Sequence, residues 1–490
     1  MKFSDASSSV RSVLLSRPAT VLPVYLAGTS VGMVAQSVPI VGVVLAYLLL
    51  LGTGRIESVF TALQGVDFSG SDVSEAEIER LGDAMMGLLT PGTITVLLLS
   101  VVGAIVVLFI ARAIAEAAQV HTATAALRDE HAIATGITGA SEDSWTFLKL
   151  AIVRALVFLL LLVPVGLLAA FAAIVSPALI LLLFLAVLLL IPVLFVVYLL
   201  FLFVPQAIVI DGLGVRTGIR RSGSFVWNNK ARVAAYLVIV VGLVGIVGFV
   251  AVLFQFLGVG RLLGIAVAFG VTPTLSVLKT ALYLDESPLE SRKRGSVRGA
   301  LRRGLGELAS FVFGRPGLVL VATGLFTVGI VGGWFATSPF ALDSLQTNVS
   351  ENVFGSIPVD MFVTLTANNW LVAISAAFAG LAFGAPTVVA LLFNGLIVGG
   401  VVGLLPNTTL AVALIAPHGI IEIPALAIAG ALGLHLGGVA WRYVRGSTTA
   451  ADLAGELIRA YYILLGLLPV FIVAAFIEAF LTWWVAANIM

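Results

Sequence analysis

The chain contains no cysteine. That excludes disulfides, thiolate metal sites and cysteine nucleophiles together. Charge is scarce as well: 10% of the residues are charged, against about 25% in an ordinary soluble domain. Lysine is rare beside arginine, and there are four histidines. The N-terminus lacks a persuasive cleavage signal. Arg11 and Arg17 precede a long apolar stretch, which reads as an uncleaved first span.

What remains is apolar. Of 490 residues, 60% are hydrophobic, and the mean hydropathy is +1.16. This is the composition of an integral membrane protein. The apolar runs are too long for outer-membrane barrel strands, which alternate over about 10 residues. The expected fold class is therefore all-α, because a helix satisfies its own backbone in lipid. The formal net charge of +1 says little, because charge in such a chain is partitioned by membrane side. Rare lysine, with an acidic loop at 53–90, points to a high-salt or GC-rich prokaryote.

Residues 1–17 are polar, with Val10, Val13 and Leu14 at helical spacing, and suit a short interfacial helix. Residues 19–52 are apolar and contain Pro23 and Pro39. They read as one kinked span, with a pair of short segments as the alternative. The loop 53–90 carries Asp67, Asp72, Glu75, Glu77, Glu79 and Asp83, and residues 75–89 suit an amphipathic helix. Spans are expected at about 91–115, 150–175, 177–204, 233–257 and 261–283. Residues 284–315 break the pattern with Arg292, Lys293, Arg294, Arg298, Arg302, Arg303 and Arg315. Further spans are expected near 316–338, 368–385, 386–405, 409–441 and 459–485. The expectation is a polytopic protein of about eleven transmembrane helices, six in a module over 1–283 and five in a module over 316–490, with 284–315 as a basic cytoplasmic linker.

The positive-inside rule orients this arrangement. With the N-terminus cytoplasmic, every basic cluster falls inside, and the acidic loops 53–90 and 339–367 fall outside. The C-terminus is then external, and the protein is a multi-pass component of the cell membrane. Two sequons, Asn348-Val349-Ser350 and Asn407-Thr408-Thr409, also fall outside. No inverted repeat relates the two modules.

Three groups of residues bear on function. Arg216, Arg220 and Arg221 follow Pro205 and Asp211-Gly212, and line one side of a short helix. With Arg292, Lys293 and Arg294 they are candidates for lipid headgroups or a partner, in the usual manner of snorkelling interfacial arginines. Glycines at four-residue spacing (Gly380 and Gly384; Gly395, Gly399 and Gly403; Gly433 and Gly437) allow close helix packing. Finally, Asn369, Asn394, His418, Glu422 and Glu478 are polar groups at membrane depth, where each needs a partner or a purpose. Pro417-His418-Gly419 is expected to break its apolar segment, leaving 409–416 as a half-helix. His418 and Glu422 then share a face, and Glu422 lies in a first turn. Topology places Asn369, His418, Glu422 and Glu478 on the outer side, with Asn394 between them.

These motifs carry a resemblance. Residues 316–490 resemble the stage II sporulation protein M family. The resemblance rests on Asn368-Asn369, Phe378-Ala379-Gly380 with Gly384, Asn394-Gly395, Pro417-His418-Gly419-Ile420-Ile421-Glu422 and Ala475-Phe476-Ile477-Glu478-Ala479. It implies a five-span module and, from the sporulation member, a membrane scaffold that helps to localise peptidoglycan-degrading proteins. The additional six-span module departs from that member. It loosely resembles membrane domains found beside glycerophosphodiester phosphodiesterases, through Pro205, Asp211-Gly212 and Arg220-Arg221-Ser222. No phosphodiesterase domain is present, so no catalysis is carried over.

The functional expectation is a non-enzymatic membrane scaffold or accessory subunit, with the five polar residues locking helices together. Its partners are membrane lipid and other membrane proteins or a second copy; no nucleic acid, cofactor, metal or catalytic residue is expected. One alternative is a transporter or channel component that binds an ion or small solute at His418, Glu422 and Glu478. No span, however, shows a polar ladder through the full depth. Another is a metal-dependent intramembrane enzyme, against which stands the usual demand for three ligands with more than one histidine.

Overall fold

The computed structural model describes residues 3–65, 74–175, 179–286, 296–340, 358–405 and 408–482. Every regular element among them is helical. Eleven stretches are long and apolar enough to cross a membrane: Leu22–Leu51, Pro91–Leu127, Ala132–Ile174, Leu179–Asp211, Lys230–Phe256 and Leu262–Leu284, then Pro316–Phe340, Val359–Ala379, Ala385–Leu404, Val412–Val444 and Ala450–Leu481. The protein is thus an all-α polytopic membrane protein, with eleven candidate spans among the described residues. Large apolar side chains stay on its outside, among them Leu160, Leu181, Phe249 and Phe256. In water such a surface would drive aggregation; in lipid it is the ordinary exterior of a span.

The helices run longer than the expected spans. Pro91–Leu127 has 37 residues, about 55 Å of helix, where about 30 Å crosses the hydrocarbon. In the first span the interruption falls at Ser30, between Leu22–Thr29 and Val31–Leu51. Neither proline breaks it. Pro23 sits in a first turn, where a missing N–H costs nothing, and Pro39 lies inside a helix.

Contacts group the chain into two compact units. One comprises Met1–Gly28, Phe109–Val250 and Val267–Gly295; the other comprises Thr29–Leu108, Ala251–Ala266 and Ser296–Met490.

In the first unit, the helix Phe3–Arg11 packs on Thr272–Leu284. Its apolar face packs on protein. Ala6, Val10 and Val13 are buried in a core with Phe203, Val277, Leu278 and Ala281. A second core joins Ala113, Ala117 and Val120 to Phe147, Leu150, Val204 and Ile208. The stretch from Pro205 to Ser222 folds as two short helices, Val204–Asp211 and Val215–Asn228. Gly212 joins them in the left-handed region, with φ of 66°, where a side chain is penalised.

In the second unit, the acidic loop holds two helices packed together, Arg55–Gln64 and Glu75–Met86. Ser74 and Glu77 form a capping box at the start of the latter. Residues Val297–Gly314, expected as part of a linker, form a helix lying on Ala450–Phe476. Gly304 there meets the backbone of Tyr462 and Gly466.

The glycine spacing carries the tightest packing of this unit. Pro316–Thr337 and Ala385–Leu404 touch backbone to backbone: a Cβ on Gly395 would strike Phe326 O and Gly329 Cα, and one on Gly333 would strike Leu396 O. Thr337 Oγ1 donates to Gly400 O at 2.9 Å. Val359–Ala379 and Thr408–Val444 meet in the same way through Gly380, Gly433 and Gly437. Thr387 Oγ1 donates to Ala376 O at 2.7 Å, and Trp370 Nε1 to Leu464 O at 2.7 Å.

Candidate functional site

The site is built on the last two spans. Thr408–Val444 is one continuous helix of 37 residues with Pro417 and Pro424 inside it. The expected break at Pro417-His418-Gly419 is therefore absent, and 409–416 is not a half-helix. A proline removes one helical donor, and packing neighbours restore tolerance for that loss in a membrane bundle. Glu422 consequently stands inside a helix, away from any N-terminal dipole. The four-residue spacing still places His418 and Glu422 on one face.

Glu478 comes from the other side. The helix Ala450–Phe476 passes into a π-helical turn at Ile477–Leu481. Such turns shift the register of the residues that follow and recur at functional positions. Here Glu478 and Thr482 both reach His418. His418 Nε2 lies 3.9 Å from Glu478 Oε1, and His418 Nδ1 lies 3.4 Å from Thr482 Oγ1. The Thr482 hydroxyl donates to Ile477 O at 3.2 Å. Having spent its proton there, Thr482 is left to accept from Nδ1–H, which turns the other ring nitrogen towards the carboxylates.

One ligand atom each from His418, Glu422 and Glu478 lies within 4.8 Å of the others. The His418 and Glu478 side chains are 14% and 21% exposed. Glu422 Oε2 is fully covered and has no hydrogen-bond partner. The three residues thus form a half-buried, anionic, imidazole-bearing cluster.

The two asparagines expected beside them are engaged locally. Asn394 Nδ2 donates to Ala390 O, 2.7 Å away on its own helix. Asn369 is buried and accepts from Asn368 Nδ2 at 3.2 Å; its own Nδ2 has no partner.

The arginines of the first unit divide. Arg221 Nε donates to Asp211 Oδ2 at 2.8 Å, and Tyr283 Oη donates to the same oxygen at 2.6 Å. That hydrogen bond to the Asp211 carboxylate pushes the Arg221 guanidinium above its already high value. Ser222 Oγ accepts from Phe203 N at 3.1 Å. Asp211, Gly212, Arg221 and Ser222 thus hold the helical hairpin together, while Arg216 and Arg220 remain exposed. A cavity of about 340 Å³ is lined by Arg221, Arg232 and Tyr283, but its two arginines are committed to Asp211 and Asp285. Arg292, Lys293 and Arg294 lie outside the described residues, as do Asn348 and Asn407 of the sequons.

A family model described as a domain of unknown function (DUF7847) matches residues 8–285. The chain belongs to that family. In this DUF7847 member a second model, that of stage II sporulation protein M, matches residues 322–483. The C-terminal resemblance therefore holds, and His418, Glu422, Glu478 and Thr482 all lie within the matched range. The N-terminal resemblance to phosphodiesterase-associated membrane domains has no support from the match there. An uncharacterized protein, MJ0793, of Methanocaldococcus jannaschii is 27% identical over 178 residues, covering 35% of this chain and 97% of its own length. No solved structure matches the chain.

Several polar residues of the DUF7847 member escaped the sequence reading. Thr482 carries no motif, and it meets His418 across two helices. His435 Nε2 pairs with Glu456 Oε2 at 3.0 Å, and Arg459 Nε with Glu307 Oε2 at 3.2 Å. His435 lies about 26 Å along the helix from His418, and so belongs to a separate polar group. Glu456 was hidden because the last span was expected to begin at 459. A capping pair ahead of that run, Thr449 with Asp452, marks the true start.

Proposed function

We propose that the protein is a non-enzymatic scaffold or accessory subunit of a membrane complex. The observation that carries this reading is the glycine-to-backbone contact between Pro316–Thr337 and Ala385–Leu404. Helices seated backbone on backbone form a rigid frame, where a transport path calls for elements with two arrangements. The scaffold role implied by the sporulation-family resemblance agrees with it. The polar cluster then helps specify which helices pair, at about 0.6 kcal/mol per interhelical contact. We place the N-terminus in the cytoplasm and the C-terminus outside, with Arg216 and Arg220 at anionic headgroups, on the distribution of basic residues.

The test is purification of the full chain in mild detergent, followed by mass spectrometric identification of what co-purifies in defined stoichiometry. The reading expects a specific membrane partner or a defined homo-oligomer. A monodisperse monomer with no partner, which conducts an ion or solute in liposomes, contradicts it.

A second reading has one observation in its favour. The uncovered hydrogen-bonding capacity of Glu422 Oε2, inside a cluster of three ligand-type groups, suits a transporter or channel component that binds an ion. Flux in liposomes that disappears in Glu422→Gln supports it.

A further inference from the structure

Two carboxyl groups and an imidazole packed together in a membrane protein need a shared proton or a cation between them. Like charges at this range repel, and burial amplifies the repulsion. His418 is the cationic candidate at Glu478, yet its Nε2 is 3.9 Å away, beyond hydrogen-bond reach. Among the described residues no lysine or arginine is paired with Glu422 or Glu478.

The distances fit a shared ion. Metal–ligand bonds to imidazole nitrogen and carboxylate oxygen are about 2.0–2.2 Å. Two ligands of one ion are therefore about 3.4 Å apart at a tetrahedral angle and about 4.0–4.4 Å apart when trans. The His418–Glu478 separation of 3.9 Å falls between these values, and the full triad, within 4.8 Å, closes by up to about 1.4 Å on a tetrahedral ion. Glu422 Oε2 supplies a buried acceptor with no other use. Left unpaired, it forfeits its hydration without compensation.

The histidine is already oriented for the task. Thr482 accepts from Nδ1–H, so the lone pair of a neutral ring sits on Nε2, facing the carboxylates. Metal-bound histidines are held in this way by a hydrogen bond on the other nitrogen. Thr482 is 4% exposed and is itself fixed to Ile477 O. Glu478 and Thr482, four residues apart, share this face across the π turn.

We propose that His418 Nε2, Glu422 and Glu478 bind one divalent first-row metal ion, of the Zn²⁺ or Mn²⁺ class, with Thr482 as the orienting residue. One imidazole and two carboxylates are mixed nitrogen and oxygen donors, which suit these ions and not soft Cu⁺. Three protein ligands leave at least one position for water or an exogenous group. The inference goes beyond the scaffold reading and does not depend on any partner or on flux. A metal that never leaves the site is compatible with a scaffold.

The test uses the tag-free full chain in detergent, stripped with a chelator, equilibrated with ZnCl₂ or MnCl₂, desalted and analysed for metal per protein. One equivalent is expected in the unsubstituted chain and in His131→Gln, a histidine exposed and outside the triad. Affinity should fall at least tenfold in Glu422→Gln and in Glu478→Gln, and by about 10–100-fold in Thr482→Val. Substoichiometric metal in the unsubstituted chain overturns the proposal, as does an unchanged equivalent in Glu422→Gln. If the Gln variants do not fold, Co²⁺ titration of the unsubstituted chain decides. Visible absorption bands saturating at one equivalent support the site, and their absence overturns it.

Discussion

Gly399 lies on the backbone of Ile330: a Cβ built on it would fall on the Ile330 carbonyl. The helices Ala385–Leu404 and Pro316–Thr337 cannot stay in place around a larger residue. Gly399→Ala should destabilise the protein by about 1–3 kcal/mol through overpacking. Gly332→Ala is the control, since nothing lies within 4 Å of its Cβ position. That change should be neutral or stabilising by up to about 1 kcal/mol through helix propensity. Thermal unfolding of both variants in one detergent checks the difference.

The first unit makes a different prediction. Ser222 Oγ is the acceptor for the buried Phe203 N–H. Ser222→Ala leaves that donor unsatisfied and should cost about 1–3 kcal/mol. Thr217→Ala on the exposed side of the same helix should change stability by less than about 0.5 kcal/mol. Equal effects of the two would remove Ser222 from the account of the hairpin.

Pro417 tests the continuity of the Thr408–Val444 helix. With a continuous helix, Pro417→Ala restores a helical N–H donor and should leave the fold intact, with stability equal or higher. Hydrogen exchange should show protection running without a gap from residue 414 to 422. A gap in exchange protection there, or unfolding of the variant, would favour a true break at Pro417.

How much of this was readable in the sequence depends on the range of the interaction concerned. Long apolar runs announce spans because the bilayer fixes their length, so the eleven spans were legible. The four-residue glycine spacing was legible too, yet the partners Gly329 and Gly333, at the same spacing, went unremarked. His418 and Glu422 shared a face whether or not the helix broke, because i and i+4 positions are local. The break itself was misjudged, because a proline's effect in a bundle is set by its neighbours and not by its own chemistry. The pairing of His435 with Glu456, and of Thr482 with His418, joins residues on different helices. No local pattern encodes that register.

The absence of cysteine offers a clean test of topology. Single cysteines introduced at Ser74 and at Ser447, both exposed, should react oppositely with a membrane-impermeant maleimide. Ser74→Cys should label in intact cells and Ser447→Cys only after permeabilisation. The reverse pattern overturns the inferred orientation.

The most direct test concerns whether two helices bring His418 and Glu478 into one site. It is a double-mutant cycle of His418→Ala and Glu478→Gln, measured by unfolding of the purified full chain with chelator present. Shared geometry predicts non-additivity of about 0.5–2 kcal/mol. Additive effects, within about 0.3 kcal/mol, would mean that the two residues do not meet.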